Sequence, residues 1–185
     1  MANYLFADPF LGVPAPMSAT YTFATSAGIN PQWPLGMEVR AEDHPTETGS
    51  AVRPSLGAGI FVHAQGSDVG TAGLLVYLKN NSAVKLAAGV NYPVGVACGV
   101  LSATNVAGWV QVAGIKDDCR GTNVSIPADV QVFVGTAGGF VVSGSVANSA
   151  IRGMVMGTAS YTSSQSLSMT VQLNRPYVQF NTASF

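Results

Sequence analysis

The chain has 185 residues, a formal net charge of -1, 48% hydrophobic residues and only 9% charged ones, against about 25% charged in an ordinary globular domain. Near-neutrality and the scatter of its eight Lys and Arg residues argue against a phosphate-backbone partner, so no nucleic acid is expected. No window approaches the roughly 18 apolar residues of a membrane span, so no membrane partner is expected either; 21 Gly and an absence of Leu/Glu/Lys amphipathic runs predict an all-β protein.

The opening MANYLFADPF has Asp8, Pro9 and no basic residue, which predicts synthesis in the cytoplasm without export. Residues 1–55 carry Pro9, Pro14, Pro16, Pro31, Pro34, Pro45 and Pro54, and at this density they exclude helix interiors and central strands. An extended N-terminal arm is expected there. It holds Tyr4, Leu5, Phe6, Phe10, Leu11, Tyr21, Phe23 and Trp33, too many large apolar groups for a solvated tail. Either the chain's own domain or a partner must cover them. Within the arm, EVRAEDHPTE at residues 38–47 holds four of the nine acids and reads as a solvated acidic loop.

From residue 56 to 185 an antiparallel β domain is expected, a barrel or a sandwich, because short strand-like segments recur every 8 to 12 residues or so between Gly, Asn and Pro. In chain order these are AGIFVHAQ, GLLVYLK, AVKLAA, VGVACGVL, GWVQV, TNVSI, DVQVFV, GFVVSG, IRGMVM, LSMTVQL and PYVQF. In AGWVQVAG, residues 107–114, Trp109 and Gln111 share one face and Val110 and Val112 the other. DVQVFV sends Val130, Val132 and Val134 inward and leaves Phe133 beside Asp129 and Gln131. LSMTVQL sets Leu167, Met169, Val171 and Leu173 against Ser168, Thr170 and Gln172. Trp109 and Phe133 thus fall on faces where polar residues are expected.

Catalysis has little to stand on. The chain has two histidines, His44 and His63, and no G-x-S-x-G, G-x-x-x-x-G-K-[ST] or G-x-G-x-x-G. HAQGSD at residues 63–68 gathers His, Ser and Asp, but triads assemble from distant positions, so it reads as a strand running into a turn. Asp117 and Asp118 point to opposite sides if extended and read as a solvated loop beside Lys116 and Arg120. A metal site would need His44 and its neighbouring acids to meet a second His or Cys. No metal, no cofactor and no enzyme activity are expected, and Cys98 and Cys119 are expected as free thiols.

YPVGVACGVLSATNVAGWVQVAGI, VFVGTAGGFV, IRGMVMGTAS and VQLNRPYV, in this order over residues 94–178, resemble bacteriophage capsid decoration (cement) proteins. The resemblance implies a virion protein on the outer capsid surface that locks major capsid subunits together, with the major capsid protein and copies of itself, as a homotrimer, for partners. It brings no catalytic residues. The candidate interface residues are Tyr4, Phe6, Phe10, Leu11, Trp33, Trp109, Phe133, Tyr177, Phe180 and Phe185. A second expectation is a carbohydrate- or receptor-binding module of a phage tail or head fibre, in which Trp109, Asp117 and Asp118 would supply the site.

Overall fold

The structure, a computed structural model, describes residues 4–6, 20–22, 33–43, 55–87, 90–121, 131–134, 140–141, 150–156 and 167–178. These contain no helix, and the chain is all-β. Twelve strands join one sheet in the order β1-β3-β4-β6-β5-β7-β8-β10-β9-β11-β12, with β2 paired to β8. The strands are β1 Tyr4–Phe6, β2 Thr20–Thr22, β3 Glu38–Asp43, β4 Ala58–Gly66, β5 Leu75–Lys79, β6 Ser82–Lys85, β7 Val94–Ala97, β8 Val106–Gly121, β9 Gln131–Val134, β10 Phe140–Val141, β11 Ala150–Met156 and β12 Leu167–Val178. Most pairings are antiparallel as expected; β4–β6 and β8–β10 are parallel. TNVSI and Val130 lie outside the described residues.

The local chemistry explains several boundaries. Between β5 and β6, Asn80 and Asn81 have φ of 50° and 63°, the left-handed pair that a two-residue hairpin turn requires and that Asn tolerates best after Gly. The described part of the acidic stretch, residues 38–43, is not a loop; residues 44–47 lie outside the described residues. EVRAED is β3, with Val39, Ala41 and Asp43 buried and Glu38, Arg40 and Glu42 exposed, because its charges alternate with small apolar residues at the strand period of two. Asp43 is buried at the strand's end, where its carboxylate accepts the Leu56 N–H at 2.8 Å.

Strand β8 organises the molecule. Its 16 residues pair with β4 and β2 and with β7, β10 and β12. The pairings β4–β6–β5–β7–β8 return to β4, and β8–β10–β9–β11–β12 return to β8. Three apolar groups fill the interior. One joins Ala64, Val69, Val76, Ala97, Leu101, Val110 and Val112; a second joins Leu75, Val96, Cys119, Val132, Ile151, Met154, Val171 and Leu173; the third joins Trp33, Val39, Ala41, Phe61, Cys98 and Trp109. Trp109, Val110, Gln111 and Val112 are all buried, so β8 has no wet face here. Gln111 stands among apolar neighbours because its Nε2 donates to the carbonyls of Ala113 at 3.2 Å and Ile115 at 3.1 Å, where Gly114 turns the strand through φ 95°. It satisfies carbonyls that the irregular ladder presents at that turn.

The division at residue 55 does not divide the sheet. β1 pairs with β3 and β3 with β4, β2 pairs with Val106–Gly108 of β8, and Trp33 is 5% exposed. The described parts of the expected arm are thus strands of the chain's own sheet. Asp117 and Asp118 likewise lie within β8, not in a solvated loop, and Lys116 beside them is 5% exposed.

Candidate functional site

Strand β12 is one continuous strand where two segments were expected, and an irregularity in it exposes the aromatic that is most open to solvent among the described residues. Val171 and Leu173 are buried and Gln172 exposed, as the alternation predicts. Continued without interruption, the same phase would bury Tyr177. Instead, Arg152 of β11 faces Tyr177 and Met154 faces Leu173, so Asn174, Arg175 and Pro176 stand opposite Gly153 alone. This bulge shifts the phase by one residue. Pro176 and Val178 are buried, and Tyr177 stands outward at 52% exposure.

The bulge is held in strained backbone. Arg175 has φ of 46° and Gly153 a φ of 74°; a Cβ on Gly153 would lie 2.4 Å from the Asn174 carbonyl oxygen. Only glycine allows so close an approach. The Arg175 guanidinium donates to both carboxylate oxygens of Glu38, at 2.6 and 3.0 Å, and this pairing, with hydrogen bonding, raises its pKa further. Strain of this kind persists where the surroundings over-determine it.

Tyr177 is exposed near the turn that carries Tyr92 and Pro93. Its backbone bridges to Pro93, and Pro93 in turn accepts the Leu78 N–H at 2.8 Å. Beside Pro93, Tyr92 is 36% exposed and stacks on Tyr77 of β5, centroids 5.5 Å apart and planes 19° from parallel. Lys79 places its ammonium 5.4 Å from the Tyr92 ring centroid, within cation–π range. A cavity of about 190 Å³ is lined by Val62, Leu78, Pro93, Val94, Val112, Arg175 and Pro176, the two prolines being chain neighbours of Tyr92 and Tyr177. Rigid apolar rings with hydroxyl tips, set beside an apolar recess, suit contact with another molecule.

Of the expected interface residues, Tyr177 lies on this surface. Trp109 does not: it is 0% exposed, its ring 5.5 Å from Trp33 and 4.8 Å from His63. Trp33 is buried in the same cluster, so neither indole is a surface anchor, and neither is open to a sugar ring. The physical reason is the double cover of β8, which leaves an aromatic on its polar-looking face enclosed by residues 33–43. Phe133 is half-buried on β9, with Val132 and Val134 buried on the opposite side as expected. Tyr4 and Phe6 are in β1, opposite Asp43 and Ala41. Phe10, Leu11, Phe180 and Phe185 lie outside the described residues. Tyr92 was missed, although an aromatic directly before a proline in a polar turn, NYP, was a legible signal of an exposed ring.

The chemistry of the remaining polar groups is inward. Cys98 and Cys119 are free and buried; burial pushes the Cys98 thiol up to about 11 and Cys119 further still. The Lys116 ammonium pairs with the Asp118 carboxylate. Among the described residues no group of three or more His, Cys, Asp or Glu is placed to hold a metal ion. Comparison of the chain with protein-family models, with curated proteins and with solved structures finds no match.

Proposed function

We propose that the chain is a structural protein of a bacteriophage head, a capsid decoration protein that seats on the outer capsid surface and ties neighbouring major capsid subunits together. The reading rests on the succession of sequence motifs and on one structural observation, the strained bulge that turns Tyr177 outward. Turning a large apolar ring to water at the cost of left-handed backbone at Arg175 gains nothing for the fold. It gains a rigid contact surface. A surface of few charges also suits dense packing of many copies, where like charges repel.

The protein works as a homotrimer in this proposal, since local three-fold positions on a capsid let each copy present one patch to its neighbour. The contact is made by the Tyr92–Tyr177 surface, not by Trp33 or Trp109. Co-sedimentation with undecorated heads tests the proposal: saturable binding at a fixed copy number supports it, and no binding counts against it. The stacked Tyr77–Tyr92 pair favours one second reading, a glycan- or receptor-binding module, because a flat aromatic platform accepts a sugar face. Binding to glycans with no binding to heads would select that reading.

A further inference from the structure

We propose that His63, clamped between Trp33 and Trp109, is an acid-released latch that holds residues 33–43 on the sheet. The His63 ring lies 5.8 Å from Trp33, nearly perpendicular to it, and 4.8 Å from Trp109. Its Nδ1–H donates to the Pro34 carbonyl at 3.3 Å, and Nε2 is buried with no hydrogen-bond partner. The backbone repeats the grip: Gly36 N–H donates to His63 O and His63 N–H to Met37 O, both at 2.8 Å. One residue therefore fastens the whole turn that leads into β3, and β1 is attached to the sheet through β3.

The clamp tolerates a neutral imidazole and not a charged one. Protonation would create a second N–H, at Nε2, for which the described residues offer no partner, and would place a full charge among apolar groups. Among the described residues no carboxylate is paired with the ring. From residues 33–43, Glu38, Arg40 and Glu42 lie on the exposed side of β3, and Asp43 is at its far end, bonded to Leu56. From the β7 end comes Cys98, neutral because burial raises its thiol, and from β8 come Trp109 and Gln111. Burial lowers the His63 pKa below its ordinary 6.5, with the Pro34 and Trp33 carbonyls opposing. The folded state thus prefers the neutral ring, so the latch is at full strength above about pH 6.5 and weakens as pH falls below it. Opening is local, because the two other apolar groups contain neither Trp33 nor Trp109.

The chain has two tryptophans, and both touch His63, so intrinsic fluorescence reports on the latch alone. On going from pH 7.5 to 5.0, above the range where ordinary carboxylates protonate, the emission is expected to shift to the red. Hydrogen-exchange protection, corrected for intrinsic rate, is expected to fall at Gly36 and Asp43 as pH drops below 6.5, by at most about tenfold per pH unit, while β5, β7 and β12 keep theirs. His44→Gln leaves this response in place and His63→Gln abolishes it. Should His63→Gln not fold, a nuclear magnetic resonance titration of His63 in the unaltered chain decides. An imidazolium that forms above pH 6.5 in the intact sheet overturns the proposal, as does protection at Gly36 and Asp43 that is unchanged at pH 5.0 or lost together with every strand.

Discussion

Two aromatic clusters among the described residues use similar rings to opposite ends. Trp33, His63 and Trp109 meet edge and face in a site closed to water, whereas Tyr77 and Tyr92 stack at the surface and Tyr177 stands half in solvent. What separates them is the backbone beneath. Under the tryptophans, β8 is paired along both edges and covered by residues 33–43, so a ring on either face is enclosed. Under Tyr177, the bulge at Asn174–Pro176 reverses the facing of β12 and turns the ring outward. Exposure here is a property of strand phase and cover, not of residue type.

That contrast predicts unequal responses to truncation. Trp109→Ala removes the centre of the buried cluster and is expected to cost about 3–5 kcal/mol, read as the denaturation midpoint, whereas Tyr177→Ala should change stability by no more than about 0.5 kcal/mol. Two ion pairs among the described residues should divide the same way. Lys116→Met strands Asp118, 11% exposed at its side chain, and is expected to cost about 3–5 kcal/mol. Glu38→Gln, at a pair whose side chains are 43% and 58% exposed, should leave the melting temperature within error. Gly153→Ala sharpens the comparison at the bulge. Its positive φ and the Asn174 carbonyl oppose any Cβ, so a loss of more than about 1 kcal/mol is expected, with Tyr177 less exposed if the bulge rearranges. Smallest of all, Cys98 and Cys119, buried with raised pKa values, should resist a thiol reagent at pH 8 in the native protein and both react once it is unfolded.

Period-two patterning made much of the sheet legible. Val132 and Val134 against Phe133, and Val171 and Leu173 against Gln172, fall as their alternation requires. The Asn80–Asn81 turn falls between GLLVYLK and AVKLAA, two of the expected segments. What failed did so for physical reasons. In EVRAED the count of charges hid an alternation that is itself a strand signal. In AGWVQVAG, Gln111 suggested water, but a buried amide that serves two carbonyls at an irregular turn looks the same in sequence as a solvated one. The bulge was hidden because a phase shift depends on which residue the partner strand, β11, sets opposite. Trp33 was read as part of a docking arm because a chain segment that cannot fold alone gives no sign of whether its cover is its own sheet or another protein. Of the proposed contact surface, Tyr177 was visible as an aromatic in a terminal segment; its backbone bridge to Pro93 is a product of tertiary structure.

The central claim, that the outward tyrosines make the contact and the enclosed tryptophans only support it, is tested most directly with the double variant Tyr92→Ala, Tyr177→Ala. Its binding to undecorated heads is compared with that of the unaltered chain by co-sedimentation, and its melting curve is recorded alongside. A melting temperature close to that of the unaltered chain together with loss of head binding is the predicted result. Heads that bind the double variant as tightly as the unaltered chain would contradict the claim and move the contact to another face.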